Sequence, residues 1–340
     1  MPNPTEPNRS APNRSAPSPA APSPVPSVTV ESGELEALLR AAFAARGQVD
    51  DPAARMAAAA IVEAERVGMP EFGLPLALGA LESAEVRWGE PPVAEDHGGA
   101  VVLDAEDRFA PIVLAQAALL ASERAGEPGE VTATIPTPAS PGSLGRIAPF
   151  ARAVADRGLL GVIAVGSPPL VAPHGGRAPA LGTNPVATAI PSSTSPVVVD
   201  TSSSLLTKGR WGALRERGER VPEGVAIDAE GQPTTDAELV RAFLPRGGAF
   251  GTAMGIVVEM VVNGLTGLLG SSRERRGATV MAMRSLAIDA PLVAVGDDLR
   301  QRLEAAGGYV PGSAAPTVAG PVAVAAVTVE RLRRLAAANG

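Results

Sequence analysis

Cysteine is absent from the 340 residues, which excludes disulfides, thiolate zinc sites, iron–sulfur clusters and cysteine nucleophiles. Histidine occurs twice, at His97 and His174, too few for a histidine-rich metal site, and no metal ligands are expected. Aromatics are scarce, with six Phe, two Trp and one Tyr. A surplus of basic charge is also missing. Lys and Arg total 29 against 36 acidic residues, and the net charge of -7 argues against nucleic-acid binding. The longest apolar run, around 255–270, is interrupted by Glu259 and Asn263 and reads as too short to span a bilayer. No secretory leader is legible, so the expected location is cytoplasmic.

Small residues dominate what remains. The chain holds 37 Gly and 34 Pro, and its 45% hydrophobic content is enough to bury a sizeable core. Residues 1–27 repeat Pro-Asn-Arg-Ser-Ala at 7–11 and 12–16 and read as a disordered, proline-rich tail. Leu35, Leu38, Leu39 and Phe43 fall at helical spacing, and Gly47 stops that helix. Asp51-Pro52 then marks the N-cap and first residue of a second helix through Arg66. Strands are expected at Val101–Asp104, Val131–Ile135, Leu160–Val165, Val186–Ile190, Val197–Asp200, Thr279–Met283 and Val322–Val327. Helices are expected at Ile112–Ala125, Ile147–Arg157, from Thr252 to about Leu269, and at Val329–Ala338. A charged, mobile segment is expected at Ser271–Gly277. The pattern is α/β with mixed strands.

Generic chemical motifs fail. No G-x-G-x-x-G follows a strand, no P-loop is present, and Gly142-Ser143-Leu144-Gly145 lacks the nucleophile-elbow spacing. One segment is more informative: Leu181-Gly182-Thr183-Asn184-Pro185, running into the strand at Val186. With Ala172–Arg177, Val199–Ser203, Pro222–Asp228, Gly231–Asp236, Leu244–Gly248 and Pro311-Gly312, in that order, it resembles the malate/L-lactate dehydrogenase family, which also holds ureidoglycolate, sulfolactate and cyclic ketimine reductases. The resemblance covers about residues 30–338.

That resemblance implies a malate/L-lactate dehydrogenase-like fold: a central mixed β-sheet nucleotide domain, not a classical Rossmann domain, and a second domain built from both chain ends. The implied boundaries are 28–125 for the N-terminal helical and substrate domain, 126–278 for the central domain, and 279–340 for the C-terminal segment packing back on the first. It implies NADH or NADPH as cofactor, hydride transfer to a small 2-oxo acid or cyclic imine, and a homodimer with a small-molecule substrate. Asp200, carried over by position, Ser143, at the place of a family histidine, and His174, a histidine inside a matched motif that could substitute as general acid, are the candidate catalytic residues. Thr183, Asn184, Pro185, Lys208, Arg210, Gly247 and Gly248 are candidates for cofactor binding, and Phe72, Leu144 and Phe250 for a substrate pocket.

Departures from the family pattern are concentrated where protons and carboxylates are handled. The family's D-S-H-G run corresponds to Pro70-Glu71-Phe72-Gly73, and the arginine that follows it to Leu76. Ser143 stands where a second histidine is usual; Phe250 and Thr252 replace a lysine and a tyrosine. Phenylalanine cannot donate a proton and leucine cannot pair with a carboxylate. Two further readings therefore stand beside the reductase: a non-redox, cofactor-free enzyme of specialised metabolism on the same scaffold, and a catalytically inactive relative acting as a partner subunit.

Overall fold

The computed structural model describes residues 26–49, 51–89, 93–103, 105, 107–126, 131–136, 143–267, 277–285, 291–312 and 320–338. The expected tail up to residue 25 and the charged segment at 271–276 lie outside them.

The chain enters through strand β1 (Ser27–Glu31) and passes directly into α1 (Ser32–Ala45). Ser27, placed in the tail by composition, is therefore the first residue of a strand. The apolar spacing read from the sequence buries Leu35, Leu39, Ala42 and Phe43. α2 (Pro52–Arg66) starts as expected: the Asp51 carboxylate accepts from the Ala54 amide at 2.8 Å, and Pro52 occupies the first turn. A 3-10 turn (Pro70–Phe72) leads into α3 (Leu74–Glu82), then β2 (Val93–Asp96), β3 (Ala100–Leu103), α4 (Ala110–Arg124) and β4 (Val131–Pro136). Next come α5 (Ala148–Ala155), β5 (Leu160–Val165), β6 (Val186–Ile190), β7 (Val197–Thr201) and α6 (Lys208–Glu216). A short hairpin of β8 (Ala226–Ile227) and β9 (Ala242–Phe243) precedes α7 (Ala249–Thr266), β10 (Ala278–Met283), α8 (Leu292–Ala305), β11 (Pro321–Ala325) and α9 (Ala326–Ala336).

The main sheet has seven strands in the order β2-β3-β4-β10-β5-β6-β7. All neighbours are antiparallel except β3 and β4, so the sheet is mixed. Its strands come from residues 93 to 283 and so cross both positions at which domain boundaries are expected. β10 inserts between β4 and β5 and carries the late chain into the middle of the sheet. The two chain ends meet in a separate ribbon, where β1 pairs antiparallel with β11, Val28 opposite Val324. The Ser32 amide and hydroxyl both donate to the Gly320 carbonyl, at 3.1 and 2.6 Å, closing a loop across 288 positions.

Helices cover both faces of the sheet. Ile163 joins the main core with Phe150, Ala151 and Val154 of α5, whereas the next residue, Ala164, packs with Val258 and Val262 of α7. Consecutive strand residues point to opposite faces, so α5 and α7 lie on opposite sides. Two expected elements are corrected. α7 begins at Ala249, three residues before Thr252, because the glycine pair turns the chain earlier. The strand expected to reach Val327 ends at Ala325; the Ala326 amide still donates to the Pro26 carbonyl at 2.9 Å, but Ala326 and Val327 already form the first turn of α9. α7 is also, among the described residues, the one helix long and apolar enough to cross a membrane by length and composition alone, contrary to the sequence expectation. It is held to the body by Glu259, whose carboxylate accepts from the Gly182 amide and from Asn184, both at 3.1 Å.

Candidate functional site

A cavity of about 630 Å³ opens at one end of the main sheet, a size suited to a small ligand or cofactor. The register sets its position. Val186, at the start of β6, sits opposite Ala164 near the end of β5 and opposite Thr201 at the end of β7. The chain segments leaving β5 and β7 and entering β6 therefore emerge together and supply Val165, Ser167, Thr183, Pro185, Asp200 and Ser202. The 143–147 segment ahead of α5 forms a second wall, and the α6 N-terminus with Thr207 and Lys208 a third. Phe72 and Leu76, from the N-terminal helices, close the fourth.

That fourth wall is locked from beneath. The Leu74 amide at the start of α3 donates to Glu65 Oε1 at 2.6 Å. A side chain at Gly73 would run into the same carboxylate and displace it from the Leu74 amide. Burial raises the Glu65 carboxyl above its ordinary value, with the Leu74 amide opposing that shift and the nearby Glu71 charge adding to it. The result is a fixed apolar surface, since Leu76 and Leu144 also pack against the main core.

Asp200 is exposed to the cavity, yet its carboxylate also accepts from the Ala148 amide at 3.1 Å, at the first residue of α5. It thus caps a helix across the sheet rather than the turn that follows it in sequence. The surrounding walls raise its carboxyl above the usual range; Arg146 and the helix amides pull it down, and Glu63 pushes it up. Beside it, Glu63 accepts from Arg146 at 2.6 Å and from Arg152 at 2.7 Å. Ser143 lines the cavity as expected, its hydroxyl accepting from the Gly145 amide at 3.2 Å. Thr183 reaches Ser167 through its hydroxyl at 3.3 Å.

Of the residues singled out in sequence, Asp200, Ser143, Thr183, Pro185, Lys208, Phe72 and Leu144 converge on the cavity. The others do not line it. Asn184 is fully buried behind the wall at φ +42°, a left-handed conformation that asparagine tolerates. Its Oδ1 accepts from the Ser167 amide at 3.0 Å, and its Nδ2 donates to the Gly255 carbonyl and to Glu259 at 2.9 and 3.1 Å. With every polar atom engaged, it is a clamp between the 167 loop and α7. His174 is exposed, and its backbone amide donates to the Thr252 hydroxyl at 2.8 Å. Gly247 and Gly248, both at φ +61°, make the turn into α7; a side chain on Gly248 would press on the His174 ring. Phe250 is 64% exposed on the outer side of α7, and Arg210 is exposed on α6. The other histidine, His97, pairs with Glu95 at the surface. Neither histidine lines the cavity.

Sequence reasoning missed Glu63, Glu65, Glu71, Arg146, Glu216 and Arg246. Arg146 had a usable signal, since it directly follows the Ser143–Gly145 motif. The glutamates lie on helix faces whose neighbours only the tertiary fold defines.

Comparison with known proteins agrees with this architecture. The chain is 33% identical over 248 residues to a Δ1-pyrroline-2-carboxylate/Δ1-piperideine-2-carboxylate reductase of Pseudomonas putida, covering 71% of this chain and 72% of that one. It is 35% identical over 240 residues to a (2R)-3-sulfolactate dehydrogenase (NADP+) of Chromohalobacter salexigens, covering 69% and 71%. The crystal structure of Δ1-piperideine-2-carboxylate reductase from Pseudomonas syringae pv. tomato superposes with a TM-score of 0.75 at 27% identity, over 91% of this chain and 99% of that one. The family model for malate/L-lactate dehydrogenase matches residues 30–340, and so this chain belongs to that family, the malate/L-lactate dehydrogenases.

Proposed function

We propose that this chain is an NAD(P)H-dependent oxidoreductase that reduces a small 2-oxo acid or cyclic imine held in the cavity at the end of the main sheet. One observation carries the reading: residues far apart in sequence, Phe72, Ser143, Thr183, Asp200 and Lys208, line a single cavity.

The donor set there suits a reduced nicotinamide dinucleotide. Lys208 and Arg246 bring positive charge to the wall. The nine-residue α6 presents its amide end beside them, capped by the Thr207 hydroxyl, which accepts from the Arg210 amide at 3.1 Å. Lys208, Arg246 and that helix end would hold phosphates. The Thr183, Ser167 and Ser202 hydroxyls would meet the polar parts of the cofactor. When bound, the dinucleotide supplies the hydride. The chain's own residues do the rest. Phe72, Leu76 and Leu144 exclude water from one side, and Asp200 holds a proton more readily than an ordinary carboxylate.

The reading includes a homodimer in the cytoplasm. Phe250, Val257 and Met260 leave an apolar stripe exposed along α7, a surface that a second copy would cover. Calorimetric titration with NADH and NADPH tests the main reading. Micromolar binding, together with oxidation of the nucleotide in the presence of a 2-oxo acid or cyclic imine, is expected. Absence of binding at millimolar nucleotide would retire it and leave a cofactor-free enzyme or a non-catalytic relative.

A further inference from the structure

Four ionic side chains meet at the cavity wall where α2, α5 and β7 come together. Glu63 is shared by two guanidiniums, Arg146 and Arg152, at 2.6 and 2.7 Å. All three are shielded, their side chains only 15–19% exposed. Asp200 faces Arg146 and takes the Ala148 amide. Of these four, Arg146 and Asp200 line the cavity. One glutamate cannot neutralise two arginines. Asp156 also faces Arg152, so the balance that Asp200 decides is the one at Arg146: ionised, Asp200 shares that guanidinium with Glu63; protonated, it leaves Glu63 alone to offset it.

This makes the cluster a device that exchanges one anion for another. A substrate carboxylate arriving at Arg146 supplies the missing negative charge, and Asp200 then has no reason to stay ionised. Two carboxylates beside one guanidinium repel, and the more enclosed of them takes up a proton. The other charged groups on the cavity wall are Glu71 from the 3-10 turn, Lys208 and Glu216 from α6, and Arg246 ahead of α7. They balance in sign and leave the local competition at Arg146 decisive.

We propose that Arg146 anchors the carboxylate of the substrate and that Asp200 is the acid that protonates the reduced centre, the two being coupled through their shared charge. The inference rests on the reductase reading. For a 2-oxo acid, the carbonyl carbon takes the hydride from reduced nicotinamide, leaving the nucleotide oxidised. The carbonyl π pair moves onto oxygen, the Asp200 O–H bond breaks as the new O–H bond forms, and a 2-hydroxy acid and the Asp200 carboxylate remain. The shift already imposed by the cavity walls on Asp200 works in the same direction. A chain with Phe72 and Leu76 in its N-terminal wall thus has an acid and a cation supplied by two other walls.

The test is calorimetry of the full chain with oxamate, a non-reducible 2-oxo acid analogue, with and without NADPH, in buffers of different ionisation heat. Binding of oxamate with uptake of close to one proton at neutral pH is expected. Arg146→Gln should weaken oxamate at least about ten-fold, and Arg146→Lys, which keeps the charge and guards against a folding defect, by less. Asp200→Asn should abolish proton uptake while binding stays within about three-fold, since an asparagine oxygen still accepts from Ala148. In turnover, the first change should raise KM and the second lower kcat. Arg331→Gln, at a remote surface pair with Glu82, should alter neither. Unchanged affinity in Arg146→Gln, or proton uptake persisting in Asp200→Asn, overturns the proposal. NADPH binding without any oxamate heat overturns the anchor and leaves the reductase reading. Failure of NADPH to bind retires the reductase reading itself, while oxamate heats on the free chain still judge the anchor.

Discussion

Asn184→Ala separates a scaffold role from a ligand-binding one. The side chain makes three hydrogen bonds from a fully buried position, one of them to the Glu259 carboxylate. Losing them costs about 1 kcal/mol each, and alanine at φ +42° adds about 1 kcal/mol of left-handed strain. The total is about 4 kcal/mol, which lowers Tm by about 5–6 °C for a chain of 340 residues. The assay is a calorimetric or circular-dichroism melt of the nucleotide-free protein. Asn184→Gly serves as the control: it loses the same hydrogen bonds without the strain and should melt about 1–2 °C above the alanine variant. An alanine variant that melts within about 2 °C of wild type but no longer binds nucleotide would refute this account. Asn184 would then be a cofactor contact, as the sequence suggested.

Three further outcomes follow from the same reasoning. Burial raises the Glu65 carboxyl, so the proton it holds stabilises the fold below the ordinary carboxyl value of 4.5, and that contribution is lost as pH rises through the folded value. Glu65→Gln keeps the acceptor for Leu74 and should raise the urea midpoint at pH 8 but not at pH 4; an equal effect at both would show that ionisation is irrelevant. Truncation through Glu31 strips β11 of its pairing partner and should lower Tm by several degrees, a result read by calorimetry; an unchanged melt would mean the ribbon contributes nothing. Met260→Glu, at a position 70% exposed on α7, should convert a dimer to a monomer in light scattering without changing the melt of the monomer; an unaltered mass would place the interface elsewhere.

Much of the architecture is local and so is written in the sequence. The spacing of Leu35, Leu39 and Phe43, the Asp51-Pro52 start of α2 and the apolar runs of β5, β6 and β7 each depend on residues a turn or two apart. These signals survive any tertiary arrangement. Elements without such contrast were not legible. α6 has a single buried residue, Leu214, and α8 a single one, Gly296, so neither shows an apolar stripe. β1 has one buried position and is a strand only because β11 lies beside it.

The site divides along the same line. The ordered motifs from Ala172 to Gly312 pointed to the family and named Thr183 and Asp200 for the cavity; Lys208 was singled out by its charge. Sequence adjacency also placed Asn184, Gly247, Gly248 and Phe250 there, and the fold sends them elsewhere. A turn points neighbouring side chains in different directions, and only packing decides which faces the ligand. Glu63, Arg146, Arg152 and Asp200 come from three separate stretches and have no shared pattern. The fold determines their meeting, because charges shielded from water must find partners across the chain.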